Sequence, residues 1–247
     1  MTDNKPVTPC WIELSSPNVD ESQSFYSAVF GWEFDGVGPM GIGTRAVVNG
    51  SSVAGISQQP AEAPEGQPGF WSLYFHVADF DGFLQNIADN KGQALMAIPN
   101  FDGDASVALV ADSAQTGFGV LSYGDDRGFA LTDAVGAPAW FELHTTDTGV
   151  ADFYTTVFGW ETQADEEDYT TFSTGGSPVA GMVDISDLSI PAHWKIYVRV
   201  NDVDETLKRA QDHGGAVLSQ PVDTHLGRVA QIIDCHNAAI AIVSATR

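Results

Sequence analysis

Two residues of the second half of the chain, Glu142 and His144, have the types and the spacing to do chemistry. They follow Trp140 at alternate positions, so on a strand the three side chains would share one face. A carboxylate on such a face can act as a general base beside a carbonyl group. With the neighbouring imidazole it could also give a divalent metal two ligands, and His193 or His225 could supply a third.

The first half carries the same carboxylate, Glu13, two residues after Trp11, but it has Ser15 where the second half has His144. A carboxylate on a buried sheet face costs free energy unless it is paired or protonated. Glu13 and its counterpart Glu142 therefore each have two open roles. One is a general base with a raised pKa.

The other role for these carboxylates is structural. Each would then accept hydrogen bonds from backbone donors or from Tyr26 and Tyr154, and so attach the following helix to the sheet.

These residues lie in a tandem duplication. The stretch Phe25–Glu33 matches Phe153–Glu161 at seven of nine positions, with an offset of 128 residues. A second pair, Trp71–Asp81 and Trp194–Asp204, agrees at five of eleven positions. The repeated segment is therefore about 120 residues long, a normal domain size. We predict domains at residues 8–123 and 139–245, joined by a linker at 124–138.

Within each half the pattern divides again into two strand-helix-strand-strand-strand modules. Asn18 with Glu21 predicts the start of the first helix, and Gly31 predicts its end. Asn49-Gly50 between apolar runs predicts a hairpin, with Gly175-Gly176 at the same place in the second half. Further helices are expected from a cap at Asp79 to about Lys91 before Gly92, and from Asp202 to a stop at Gly214.

Composition excludes several classes of protein. The net charge is −23, which disfavours a nucleic-acid partner, and no apolar run is long enough for a membrane span. The first residues do not resemble a signal peptide, so we expect a cytoplasmic protein. Cys10 and Cys235 lie in different repeats without the spacing of a metal site or a disulfide framework.

Four such modules, with Phe-Tyr-x-x-Val-Phe-Gly-Trp after the first strand of each half, resemble the glyoxalase/bleomycin-resistance/dioxygenase superfamily, also called the vicinal oxygen chelate fold. The resemblance covers about Pro9 to Val243. It implies an α+β fold of two tandem domains, in which two modules form an open eight-stranded sheet around a cleft.

The resemblance also indicates where metal ligands would lie, at the first strand of each module and at the last strand of one or both modules in a domain. Most residues at those places in this chain cannot bind a metal. We therefore expect no cofactor, and keep as an alternative a divalent metal on His144, Glu142 and His225.

The residues expected to border the clefts are aromatic or basic. Where the repeats differ, the second half has the basic residue at three of four places, which suits an anionic or carbonyl-bearing ligand. Ion pairs with nearby acids would explain these basic residues equally well. The predicted binding residues are Trp140, Trp194, Tyr197, Arg199, Lys195, Arg228, Trp11, Trp71, Tyr74 and His76.

Trp32 and Trp160, which directly follow the glycines that end the helices, are expected to be structural.

Two functions follow from these observations. The first is metal-independent binding of a small carbonyl-bearing or aromatic molecule. The alternative is a glyoxalase-like lyase or isomerase, or a dioxygenase, with Glu142 as base and Glu13 as its counterpart in the first half. A homodimer is possible because sheets of this kind can pair between chains.

Overall fold

The computed structural model describes residues 6–102, 105–124, 128–164 and 169–245. Over these residues the chain forms four successive modules, each a strand, a helix and three further strands, as the sequence predicted. The first two modules consist of β1 (Thr8–Ser16), α1 (Val19–Phe30), β2 (Glu33–Asp35), β3 (Thr44–Val48), β4 (Ser51–Gln58), β5 (Phe70–His76), α2 (Phe80–Asp89), β6 (Gln93–Asp102), β7 (Ala105–Ala111) and β8 (Gly117–Ser122).

The second half repeats this order, with one turn of 3-10 helix at Thr148–Val150 before its first α-helix. Its strands and helices are β9 (Pro138–Thr145), α3 (Ala151–Val157), β10 (Glu161–Ala164), β11 (Tyr169–Thr174), β12 (Ser177–Asp184), β13 (His193–Arg199), α4 (Val203–Asp212), β14 (Ala216–Thr224), β15 (Gly227–Ile233) and β16 (Ala239–Ser244). The strand β9 already begins at Pro138, the last residue of the predicted linker.

Each half contributes one eight-stranded mixed sheet, which confirms the predicted α+β fold. The strand order is β2-β3-β4-β1-β5-β8-β7-β6 in the first sheet and β10-β11-β12-β9-β13-β16-β15-β14 in the second. The first strand of a module pairs in parallel with its last strand, as Glu13 pairs with Gly55 and Glu142 with Gly181. This register places each carboxylate opposite a glycine.

Local sequence signals define most helix and hairpin ends. The Asn18 side chain accepts a hydrogen bond from the backbone N–H of Glu21, and Gly31 ends the helix with φ 73°. In the predicted hairpin, Asn49 and Gly50 both have positive φ, 50° and 76°. Both residues of Gly175-Gly176 also have positive φ. These turns are therefore formed as predicted.

The end of α2 differs from the prediction. The helix stops at Asp89, and Lys91, not Gly92, takes the left-handed conformation with φ 69°. Gly92 is needed for space instead, because a Cβ there would lie 2.7 Å from the carbonyl oxygen of Ala111. In α4 the predicted stop, Gly214, does have positive φ.

The chain packs as two compact units that do not coincide with its halves. One contains the described residues of Met1–Cys10, Leu73–Arg127 and Trp140–Lys195; the other contains those of Trp11–Ser72, Gly128–Ala139 and Ile196–Arg247. We refer to them as the first and the second unit. The assignment of residues 8–123 and 139–245 as separate domains stays a prediction. None of the helices in the described ranges is long and apolar enough to span a membrane.

Each unit has an aromatic core around a buried tyrosine. In the first unit Tyr154 stacks on Trp160 with 5.7 Å between ring centroids, and in the second Tyr26 stacks on Trp32 at 5.2 Å. Both tryptophans are buried, and each donates its indole N–H to a backbone carbonyl, that of Val7 or that of Gly136. The structural role predicted for these two tryptophans is confirmed.

Candidate functional site

A chain of hydrogen bonds joins β9 and β11 in the first unit. The indole Nε1 of Trp140 donates to the hydroxyl of Tyr169 over 2.8 Å, and that hydroxyl donates to Glu142 Oε1 over 3.1 Å. The other carboxylate oxygen, Oε2, lies 3.1 Å from Nε2 of His144. Trp140, Glu142 and His144 therefore share one strand face, as their spacing predicted.

Two further side chains, from β13, lie beside these groups, one next to His144 and one next to Glu142. The ring of His193 lies 5.0 Å from that of His144, centroid to centroid. Lys195 interacts electrostatically with Glu142, and burial lowers the pKa of its ammonium while the carboxylate raises it. Burial also lowers the pKa of His193, and the charges of His144 and Lys195 lower it further. We call Trp140, Glu142, His144, Tyr169 and Lys195 the Glu142 site.

The Glu142 site combines a fixed carboxylate with partly exposed groups. Glu142 itself is only 4% exposed, and Tyr169 is buried. Trp140, His144 and Lys195 are half-buried, so parts of their side chains face solvent. A buried acceptor with an aromatic ring, an imidazole and an ammonium group at its edge can bind a molecule that has both a flat ring and polar oxygens.

Tyr169 was not among the predicted site residues. A signal for its position lies in the motif Val-Ala-Gly, which ends at Gly55 in the first half and at Gly181 in the second. A Cβ on Gly181 would overlap the Tyr169 hydroxyl, and one on Gly55 would overlap the Glu13 carboxylate. The glycine therefore makes room for the hydrogen-bonded group; the sequence shows the repeated glycine but not which side chain fills the space.

The first half builds the equivalent carboxylate site differently. In the second unit Trp11 donates its indole N–H directly to Glu13 Oε2 over 2.7 Å, and the hydroxyl of Ser57 donates to Oε1. Trp11 has no exposed surface and Glu13 is 4% exposed. Burial raises the pKa of Glu13 to about 7, although both hydrogen bonds oppose the shift.

One residue contributes to this difference between the halves. Counted back from the two hairpin turns, Tyr169 corresponds to Gly43, so the first half has no hydroxyl to place between tryptophan and carboxylate. Without that hydroxyl Trp11 bonds to Glu13 itself. With it, Trp140 is held away from Glu142 and stays partly exposed.

The expected structural partners of the two carboxylates, Tyr26 and Tyr154, bond elsewhere. Tyr26 donates to Asp234 over 3.0 Å and Tyr154 donates to Asp112 over 2.9 Å. Asp112 also accepts the backbone N–H groups of Ala114 and Thr116, so it fixes the turn between β7 and β8. That part of the structural interpretation was wrong, because the tyrosine hydroxyls reach these turns and not the first strands.

Arg199 and Arg228 form ion pairs with acidic side chains in the second unit. Arg199 pairs with Asp133, while Arg228 pairs with Asp204 at 3.1 Å and with Asp223 at 3.4 Å. The structure thus gives both arginines the ion pairs that were the open alternative to ligand binding. Their predicted binding role is untested.

The other predicted binding residues lie mainly in the cores. Trp194, Tyr197 and Tyr74 are buried, and Trp71 donates its N–H to the hydroxyl of Tyr26 over 2.9 Å. His76 is half-buried, with Nε2 3.2 Å from the carbonyl oxygen of Tyr123. Of the predicted residues, the structure groups Trp140, Glu142, His144 and Lys195 around one point.

Comparisons with known proteins agree with this architecture. A family model described as glyoxalase/bleomycin resistance protein/dioxygenase superfamily matches residues 10–119, and one described as bleomycin resistance protein-like N-terminal matches residues 139–175. The anthracycline biosynthesis protein DnrV of Streptomyces peucetius is 31% identical, over 98% of this chain and 95% of that protein. The chain belongs to the glyoxalase/bleomycin resistance protein/dioxygenase superfamily. This confirms the resemblance noted in the sequence.

Two further proteins extend the comparison. CFP32 of Mycobacterium tuberculosis (strain CDC 1551 / Oshkosh) is also 31% identical, over 96% of this chain and 94% of that protein. The crystal structure of the Mn(II)-bound glyoxalase from Novosphingobium aromaticivorans superposes with a TM-score of 0.65 at 12% identity, covering 99% of this chain and 84% of that one. At this identity the superposition supports the fold alone.

A metal of the kind that superfamily members bind does not fit the Glu142 site. Glu142 accepts hydrogen bonds from Tyr169 and His144, and the Lys195 ammonium beside it is a positive charge that repels a metal cation. His193 directs Nδ1 to the carbonyl of Pro191. Within the described part of the chain, no three His, Cys, Asp or Glu side chains are grouped to hold a metal ion.

His225, the third ligand of the metal alternative, is exposed in the turn between β14 and β15, and no group of three possible metal ligands among the described residues includes it. Glu142 and His144, in the first unit, supply two donors, whereas a catalytic metal needs about three protein ligands.

Proposed function

We propose that the chain binds a small, flat, aromatic molecule with carbonyl or hydroxyl groups at the Glu142 site, through side chains and without a metal. The observation that carries this proposal is the hydrogen-bonded series Trp140, Tyr169, Glu142 and His144. It fixes the indole of Trp140 by its N–H, and Trp140 is half-buried. A rigid, partly exposed indole is a good surface for an aromatic ligand.

The polar groups of the site suit the edge of such a ligand. The ammonium group of Lys195 can donate to a carbonyl oxygen or phenolate, and Glu142 or His144 can exchange a hydrogen bond with a hydroxyl. Polycyclic compounds with neighbouring carbonyl and hydroxyl groups present both features. The relative named for anthracycline biosynthesis supports this ligand class, because anthracyclines are compounds of that kind.

The test uses 1,4-dihydroxyanthraquinone as probe, with binding followed by tryptophan fluorescence and calorimetry. Replacement of Trp140 by Leu should weaken binding about tenfold, because the stacked ring is lost. The exchange Lys195→Ser, which installs the residue of the first half, should weaken it by a similar factor. Lys208→Ser is the matched control, since Lys208 is an exposed lysine on helix α4. Unchanged affinity in both site variants would overturn the proposal.

A second candidate is proton transfer beside a carbonyl, as in a lyase or isomerase. It is favoured by the pair Glu142 and His144, since a carboxylate with an adjacent imidazole can take up a proton and pass it on. Glu142 would remove a proton from carbon, and Lys195 would donate a hydrogen bond to the resulting enolate oxygen.

The proton-transfer candidate is tested with 2-tetralone in heavy water, by following deuterium incorporation next to the carbonyl by NMR. Enzyme-dependent incorporation that disappears in Glu142→Gln, while the variant still binds the ketone, would establish proton transfer. Equal incorporation with and without protein would eliminate it.

A further inference from the structure

Phe129, a residue after β8, lies on the indole of Trp11 in the second unit. The ring centroids are 6.0 Å apart and the planes differ by 29°, which is the offset-stacked arrangement that aromatic pairs favour. Trp11 is the counterpart of Trp140, yet Trp11 has no exposed surface while Trp140 is half-buried.

Hydrogen bonds hold Phe129 in this position from both sides. The backbone N–H of Ala130 donates to the carbonyl oxygen of Ser52 over 2.9 Å, and the Ser52 hydroxyl donates to the carbonyl oxygen of Gly128 over 3.1 Å. Both bonds involve Ser52 on β4, the strand that pairs with β1 and so with the Trp11 strand. The backbone on both sides of Phe129 is thus fixed to β4, and this positions the phenyl ring against the indole of Trp11.

The surroundings of Trp11 and Glu13 determine which kind of ligand could bind next to Trp11. Glu13 is buried and both of its oxygens accept hydrogen bonds, from Trp11 and from Ser57, so little of the carboxyl group faces a ligand. Gly38 also lies against the indole, since a Cβ there would be 3.2 Å from Trp11 Cζ2. What remains for a ligand is the apolar face that Phe129 covers.

We propose that the first half contains a second aromatic-binding site, at Trp11, which the chain fills with its own Phe129 in place of a ligand. The site takes an uncharged, single-ring aromatic compound when Phe129 is removed or displaced. This inference rests on the proposed function in one respect, that Trp140, the counterpart of Trp11, binds an aromatic ring.

The experiment measures binding of benzyl alcohol, an uncharged and soluble analogue of the phenylalanine side chain. All variants carry Trp140→Leu, so that the Glu142 site does not contribute. Calorimetry and saturation-transfer NMR compare Phe129→Ala with Phe129→Leu, whose side chain still covers much of the indole. We expect the Ala variant to bind at least about fivefold more tightly than the Leu variant. Cyclohexylmethanol, which has the same shape without an aromatic face, should show a smaller difference.

Equal binding of benzyl alcohol by the Ala and Leu variants would overturn the inference. Should Phe129→Ala fail to fold, Ser52→Ala replaces it. That change removes one hydrogen bond to the segment that carries Phe129 and keeps the phenylalanine side chain, which should then be displaced more easily. It should raise benzyl alcohol affinity over that of Ser52→Thr, and equal affinity would again overturn the inference.

The two proposals can fail separately. Loss of anthraquinone binding in Trp140→Leu tests the Glu142 site, whereas the gain in Phe129→Ala tests Trp11. If Trp140→Leu left anthraquinone binding unchanged and Phe129→Ala gained benzyl alcohol binding, the aromatic site would lie in the first half only.

Discussion

The indole N–H of Trp11 donates directly to the Glu13 carboxylate over 2.7 Å, so this buried carboxylate has its hydrogen-bond donor on its own strand. In the second half the hydroxyl of Tyr169 stands between the corresponding indole and Glu142. The two halves thus have the same tryptophan and glutamate in two arrangements. In the first half they bond directly and Trp11 is fully buried; in the second half they are joined through Tyr169 and Trp140 is half-buried.

Replacement of Glu13 by Gln should remove part of the pH dependence of stability. The pKa of Glu13 is raised from 4.5 to about 7 by burial, so between these values the folded protein binds more protons than the unfolded chain. Its free energy of unfolding therefore falls as pH rises through this range, by roughly 3 kcal/mol in total. Urea unfolding at pH 5, 6, 7 and 8 should show a flatter profile for the variant.

Glu62→Gln is the control for the Glu13 experiment, because Glu62 is exposed. It should keep the wild-type profile. A Glu13→Gln profile parallel to that of wild type would contradict a raised pKa at this position.

Replacement of Tyr169 by Phe should remove two hydrogen bonds of the Glu142 site and keep the packing of the aromatic ring at position 169. Trp140 loses its acceptor and Glu142 loses one donor. We expect about fivefold weaker anthraquinone binding, since a hydrogen bond of this kind contributes about 1 kcal/mol. Fluorescence of Trp140 should also shift, and this can be isolated as the difference from the same change in a Trp140→Leu background. An unchanged affinity and spectrum would show that Tyr169 only packs.

Replacement of Gly181 by Ala should destabilise the fold and disturb the Glu142 site. The added Cβ would overlap the Tyr169 hydroxyl, so the ring must move and its bond to Glu142 must break. We expect a loss of roughly 1–3 kcal/mol in the free energy of unfolding. The control is Gly117→Ala in β8, where the nearest atom to a Cβ is 4.0 Å away. Equal stability of the two variants would refute the steric account.

The bond between Tyr154 and Asp112 should be measurable in a double-mutant cycle. Tyr154→Phe leaves the buried Asp112 with one donor fewer, while Asp112→Asn keeps an acceptor for the backbone of the turn. We expect a coupling energy of about 2 kcal/mol in chemical denaturation, because the bond is buried and involves a carboxylate. A coupling energy near zero would mean that this bond does not hold the turn between β7 and β8.

The fold could be predicted from the sequence because its signals are local and occur twice. Asn18 caps a helix, Gly31 ends it and Asn49-Gly50 forms a hairpin wherever the rest of the chain lies. The duplication then doubled each signal. The end of α2 was misplaced because Lys91 adopts positive φ, a conformation that is uncommon for lysine.

The candidate site was predictable for the residues of β9 and for Lys195 on β13, the latter because it differs from Ser72 in the first repeat. The spacing of Trp140, Glu142 and His144 gave their common face, since strand periodicity is a local property. Tyr169 comes from a different strand, and its contact depends on the absence of a side chain at Gly181. The acceptors of Tyr26 and Tyr154 were missed for a related reason, because each is more than 40 residues away in sequence.

The way the compact units are composed has a consequence for cutting the chain. Each unit draws residues from both sides of the predicted linker, 124–138. A break there would leave each fragment with incomplete partners for its aromatic cores, such as Phe75 without Trp160 and Tyr26 without Asp234. The two fragments should therefore be poorly folded when produced singly and should complement each other when produced together, so the protein offers a natural split point for a two-part reporter.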